Sequence, residues 1–247
     1  MKIIAILISL IVSISAQDET APTMTIATTL EITPEVTTLA GSGSQGSANG
    51  TGTAAAFYLP TDVALDGSGN MYVADYNNHL IRKITSAGVV TTFAGSGSEG
   101  SADGTGTAAS FNQPVGVAVD GSGNVYVADY TNHLIRKITS GGVVTTLAGS
   151  GSSGSDDGTG TAASFNIPSG VAVDGSGNVY VGDTYNHLIR KITSAGVVST
   201  LAGSGSQGST NGTGTAASFY KPWGVAIDVS GNVYVADYTN HLIRKIT

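Results

Sequence analysis

The chain has no cysteine, one tryptophan, three methionines, and only 10 basic and 17 acidic residues among 247. Without cysteine there is no disulfide framework, no thiolate metal site and no thiol nucleophile, so stability must come from packing alone. The net charge is −7, and no basic cluster is longer than the Arg-Lys pair of each repeat, so the electrostatic footprint of a nucleic-acid binder is missing. Long apolar runs are missing too. The one at the start, within Met1 to Ala16 (MKIIAILISLIVSISA), is shorter than the roughly 20 residues of a membrane span. Its early lysine, short apolar core and small residues before Gln17-Asp18-Glu19 have the layout of a secretory signal peptide cleaved after Ser15 or Ala16. The sequence thus predicts a secreted, extracellular protein with no membrane span in its mature form.

Glycine is abundant, at 35 residues, and so is repetition. Gly116 to Thr139 (GVAVDGSGNVYVADYTNHLIRKIT) recurs almost letter for letter at Asp62 to Thr85, Gly170 to Thr193 and Gly224 to Thr247. A fixed period of this kind marks an array of similar supersecondary units. Between the predicted signal and the array, residues 17–35 are Thr-rich with Pro22 and Pro34, as in a flexible linker. Within it, Thr25 to Ile32 has the β-forming composition of a segment able to pair with a sheet edge.

Each repeat reads as four short strands. In the second copy Val117 to Val119 ends at an Asp-Gly-Ser-Gly turn, and Asn124 to Asp129 carries apolar residues on both faces, as in a sheet packed between two others. His133 to Thr139 forms a third strand and Val143 to Ala148 a fourth. Copies lie near residues 60–94, 114–148, 168–202 and 222–247. A Gly/Ser-rich loop of unusual length joins successive copies, each ending in a phenylalanine, Phe57, Phe111, Phe165 or Phe219, expected to plug the loop between neighbouring sheets.

The pattern Pro-x-Gly-Val-Ala-Val-Asp-x-x-Gly-Asn-Val-Tyr-Val-Ala-Asp-x-x-Asn-His-x-Ile-Arg, followed by Gly-Val-Val-Thr-Thr-Leu-Ala-Gly, resembles the NHL repeat in its secreted, long-loop form. The resemblance covers residues 36–247. It implies an all-β fold, a β-propeller in which each repeat is one four-stranded antiparallel blade. Members commonly have more than four blades, which leaves open a closed four-blade ring or a partial propeller, an arc. Val36 to Ala40 resembles a fourth strand without its blade, while the last copy stops after its third. That segment is expected to complete the last blade, either within one molecule or between molecules, where it would drive self-association.

Chemistry-bearing residues recur with the repeat. His79, His133, His187 and His241 sit at the turn after the second strand and lie too far apart to share a metal ion. Asp75, Asp129, Asp183 and Asp237 precede that turn, and Arg82, Arg136, Arg190 and Arg244 follow, as scaffold braces across a hairpin. No nucleophile elbow, zinc cluster or phosphate loop occurs, and the Asp-Gly-Ser-Gly-Asn turns lack the full ligand set of a calcium loop. The sequence therefore predicts no enzyme, cofactor or metal. Lyases and lactonases on NHL-like propellers are the catalytic alternative.

Departures from the repeat carry more information. Asp62 replaces a glycine, and Tyr220, Lys221 and Trp223 distinguish the last copy; all are expected to pack at a seam between the first and last blades. Tyr76, Tyr130 and Tyr238, with Tyr185 shifted by one position, share a loop face with Asp103 and Asp157. That face is the predicted binding surface for an extracellular protein or glycan. Asn49 and Asn211 head N-glycosylation sequons on equivalent loops.

Overall fold

The structure is a computed structural model that describes residues 33–247. The predicted signal peptide, residues 17–32 of the Thr-rich segment and the β-forming stretch at 25–32 lie outside them. Thr38–Thr247 forms one compact unit.

Every repeat folds into an antiparallel meander. In blade two the strands are Pro114–Val119, Val125–Asp129, Leu134–Ile138 and Val143–Ala148. The inner strand begins at proline, earlier than the apolar run suggests, and its inner edge faces the axis, where a missing N–H leaves no ladder bond unmade. The second strand is buried on both faces, with Val125, Val127 and Ala128 at 0 % exposure and Tyr126 at 3 %. Apolar clusters form between successive blades, such as Ile81 and Ala94 of blade one against Phe111, Val125 and Val127 of blade two.

The turn between the first two strands shows how sequence selects conformation. In Asp66-Gly67-Ser68-Gly69-Asn70 only the second glycine has positive φ, +79°. Its counterpart Gly231 is retained in blade four, whereas the first glycine is replaced there by the exposed Val229.

The long loops are not structureless. Those before blades one, two and three fold back so that two residues add a fifth, outermost strand to the following blade, as Gly104–Thr105 does opposite Val144 and Val143. A one-turn 3-10 helix follows, Gly106–Ala108, and then the phenylalanine plug. Phe111 and Phe165 are fully buried.

The four blades form an arc. Gly170 of blade three is covered by the Trp223 carbonyl of blade four, whereas the equivalent Gly224 meets only the Ala236 Cβ, 3.7 Å from where its own Cβ would stand. Leu242 and Ile243 are exposed, while their equivalents Leu188 and Ile189 are buried beneath blade four. The expected completion of the last blade by Val36–Ala40 does not occur within the molecule. That segment forms no strand, and the last sheet contains only Pro222–Ile227, Val233–Asp237 and Leu242–Ile246. Instead the Leu39 carbonyl lies beside Gly88 of blade one, as the Phe93 carbonyl lies beside Gly142 of blade two. Because the arc does not curl far enough to bring its ends together, Leu39 takes toward blade one the place that Phe93 of the outer strand takes toward blade two.

Candidate functional site

The repeated polar residues form a clamp on the long loop. Arg136 is fully buried: its Nη1 donates to Asp129 Oδ2 at 2.8 Å and to the Ser110 carbonyl, and its Nη2 to the Ala102 carbonyl and to Asp103 Oδ1 at 2.7 Å. The Phe111 ring lies 5.3 Å from its guanidinium carbon. Asp129 also accepts the Asn112 N–H and Asn132 Nδ2, which itself donates to the Gly100 carbonyl. The same network is built by Asp75 and Arg82, Asp183 and Arg190, and Asp237 and Arg244. Burial pushes the Asp129 and Asp183 carboxyls up to about 6, against the opposing pull of these donors.

Asp103 and Asp157 therefore do not belong to the tyrosine face. Each accepts from a buried arginine and from a threonine of the outer strand, Thr146 or Thr200, because the loop carries them down the outside of the blade. Asn49 and Asn211 occupy the same place, with Oδ1 2.9 Å from Arg82 Nη2 and 2.7 Å from Arg244 Nη2. The two sequons thus lie on the outer rim.

The histidines tie blade to blade. Each adopts a left-handed conformation after the Tyr-turn, His79 at φ 54°. Its Nδ1 accepts the N–H of the residue before the next blade's first proline: His79 from Gln113, His133 from Ile167 and His187 from Lys221, at 3.0–3.1 Å. Burial lowers the pKa of His133 and of His187, where Lys221 adds to the effect.

The Asp-Gly-Ser-Gly-Asn turns satisfy their own carboxylates. So does their Asp-Val-Ser-Gly-Asn counterpart in blade four, where Asp228 accepts from Asn232 Nδ2 and from the Asn232 and Ser230 N–H groups, which hold it down to about 2. Among the described residues, no three of His, Asp and Glu lie close enough together to hold a metal ion.

The asymmetric residues do not meet at a seam between the first and last blades. Asp62 accepts the Val117 N–H at 2.9 Å, between blades one and two, and burial raises its carboxyl. Tyr220 stacks edge-on against His187, and Lys221 Nζ lies 4.6 Å from the Tyr185 ring centroid, both between blades three and four. Trp223 packs toward blades three and two. Open ends put these positions at internal interfaces.

Blade three makes room for Trp223. Where the other blades have Tyr76, Tyr130 and Tyr238 it has Thr184, fully buried, whose Oγ1 donates to the Pro222 carbonyl. Ser169 Oγ donates to the Trp223 carbonyl at 2.9 Å. Gly182 stands where the other blades have alanine, and a Cβ there would come within 2.8 Å of the Trp223 carbonyl oxygen. These three partners escaped sequence reasoning, although the one-position shift of Tyr185 marked the place.

The result is a row of aromatic rings across one end of the arc. Centroids are 6.4 Å apart for Tyr76 and Tyr130, 6.0 Å for Tyr130 and Trp223, and 6.1 Å for Trp223 and Tyr238, with interplanar angles of 47° to 66°. Burial, with Tyr185 and Tyr76 nearby, raises the Tyr130 hydroxyl pKa. Below Trp223, the inner strands line an axial cavity of about 240 Å³ with Thr61, Asp62, Ser169 and the backbone at Gly116 and Gly170. Gly116 and Gly170 are required there, because a Cβ on either would collide with the carbonyl of the next inner strand, Ser169 or Trp223.

The NHL repeat family model matches residues 57–84, 111–138, 165–192 and 219–246, once in each blade. The chain belongs to the NHL-repeat β-propeller family. It is 32 % identical over 234 residues to the Arabidopsis thaliana protein SUPPRESSOR OF QUENCHING 1, chloroplastic, covering 87 % of this chain and 22 % of that protein. It is 42 % identical over 97 residues to NHL repeat-containing protein 2 of Gallus gallus, covering 38 % of this chain and 13 % of that protein. The chain thus spans less than a quarter of the length of these relatives. Among solved structures, an auxiliary nutrient binding protein from Bacteroides ovatus shares the fold, with a TM-score of 0.63 and 22 % identity over 79 % of this chain and 49 % of that one.

Proposed function

We propose that the chain is a non-catalytic binding module that works outside the cell and recognises its ligand through the Tyr-turn end. The observation that carries this is the aromatic row of Tyr76, Tyr130, Trp223 and Tyr238, seated by substitutions that break the repeat only where Trp223 needs room. Tyrosine and tryptophan supply large amphipathic contact area at recognition surfaces, and here they stand on a rigid β scaffold. The non-catalytic reading draws on the repeated Asp, Asn, Arg and His side chains, which are bonded to loop and inter-blade backbone. Action outside the cell rests on the N-terminal signal layout. No helix among the described residues is long and apolar enough to cross a membrane.

The test is a comparison of the wild-type chain with a Tyr76→Ala, Tyr130→Ala, Tyr238→Ala variant against panels of extracellular proteins and glycans. Loss of a saturable association in the variant supports the reading. A partner bound equally by both overturns it. N-terminal sequencing of protein recovered from the medium checks export, with the mature chain expected to begin at Ala16 or Gln17.

A second reading is self-association through the last blade. Among the described residues the outer edge of Leu242–Ile246 has no partner strand, and Ile243 is 78 % exposed. Unpaired apolar edges template strand addition. Sedimentation at rising concentration tests it: assembly abolished by Ile243→Lys supports it, and a monomer throughout removes it.

A further inference from the structure

We propose that the Tyr-turn end takes the face of a single neutral sugar ring at a glycan terminus, stacked on Trp223 over the axial cavity and flanked by Tyr130 and Tyr238. This rests on the binding-module reading and names its ligand class. The repeat contains two kinds of tyrosine. Tyr72, Tyr126 and Tyr180 in the core, and the half-buried Tyr234, have hydroxyls that all bond to the turn aspartate of their own blade. The hydroxyls of Tyr76, Tyr130 and Tyr238 make no hydrogen bond among the described residues, so they stand as donors and acceptors for a ligand beside an exposed indole. An apolar ring face with hydroxyl groups at its edge matches the faces and rim of a pyranose.

Size, charge and ring geometry narrow the choice. At about 240 Å³ the cavity falls below the roughly 300–1,000 Å³ of sites for drug-sized ligands, enough for one ring and too small for a peptide segment. Asp62 is its one ionisable lining residue, and with no lysine or arginine there an anionic ligand would go unneutralised. A cationic ligand would call for rings facing a common centre. Here each ring instead packs edge-on or tilted against the next at about 6 Å, forming a stepped row and not a cage. The seat is also built for its load: Thr184 and Ser169 bond the Pro222 and Trp223 carbonyls and Gly182 leaves room for the latter, so the backbone that carries the indole is positioned before any ligand arrives.

Trp223 is the only tryptophan, so intrinsic fluorescence of the whole chain reports on the site. It is titrated with malto-, cello-, chito-, manno- and galacto-tetraose, and with tetramethylammonium and inorganic phosphate. The expected result is a saturable change with at least one neutral tetrasaccharide. By calorimetry that affinity falls about tenfold in Tyr238→Ala, an exposed position, and is abolished in Trp223→Ala. No saturable change with any of the five sugars overturns the inference, as does a response confined to tetramethylammonium or phosphate, or an affinity unaltered in both variants. If the sugars are silent while a protein partner is lost with the tyrosine triple variant, the sugar inference fails and the binding-module reading stands.

Discussion

Thr184 Oγ1 reaches the Pro222 carbonyl at 2.8 Å from a fully buried position where every other blade carries a tyrosine. The exchange of a large aromatic side chain for a small hydroxyl is what admits the indole of Trp223, so the two positions form a matched pair. Thr184→Tyr is expected to displace Trp223. Overpacking of this kind costs roughly 1–3 kcal/mol. The measurements are urea unfolding and Trp223 emission, which should shift to the red; an unshifted spectrum at unchanged stability would refute the pairing.

Arg136→Ala would leave the Asp129 carboxylate buried beside an empty slot and release the Ala102 and Ser110 carbonyls. Removing one partner of such a buried pair costs about 3–5 kcal/mol. Arg244, whose side chain is 10 % exposed, should tolerate the same change better. Equilibrium unfolding ranks the two variants, and limited proteolysis of Arg136→Ala should cut first in the loop preceding Phe111. Equal losses in the two variants would contradict the arrangement described.

Gly170→Ala and Gly224→Ala test the arc directly. At Gly170 a Cβ would collide with the Trp223 carbonyl, whereas at Gly224 it finds space. The first should lose about 1–3 kcal/mol, and the second should stay within about 0.5 kcal/mol of wild type. A large loss at Gly224 would mean that another chain segment or a second molecule covers it in solution.

His133 and His187 are neutral acceptors, and burial holds their pKa below the unfolded value of about 6.5. Because the folded pKa is depressed, their contribution to stability is present above that unfolded value and lost as pH falls through the folded one. NMR titration should show both imidazoles protonating below about 6.5, with the Ile167 and Lys221 amide resonances moving in step. Titration at or above that value would refute the inter-blade bonds.

Much of the blade could be read from its letters. The alternating apolar residues of Val125 to Ala128 and the turn chemistry of Asp120 to Asn124 are local signals, and the fourth strand falls at Val143–Ala148 as expected. Inter-blade relations are different, because which neighbour a side chain meets depends on sheet twist and on how far the array curls. Trp223 and Asp62 look like end residues by blade number, yet one reaches inward to Tyr130 and the other bridges blades one and two. The loops misled for a related reason. Asp103 stands in a Gly/Ser stretch that reads as exposed, and only the buried guanidinium of Arg136 explains why it turns to the outer strand.

The histidine bonds connect each blade to its successor alone, from His79 to Gln113, His133 to Ile167 and His187 to Lys221. Such an array resembles a line of interchangeable couplings, and gene-level gain or loss of a 54-residue unit between blades one and three would restore an equivalent junction each time. The junction after blade three is keyed. A copy of blade one, two or four inserted there would carry Tyr in place of Thr184 and Ala in place of Gly182, and Trp223 would lose its seat. Only a copy of the third repeat can therefore stand directly before the fourth, and the length of the array is free to drift everywhere except beside its one tryptophan.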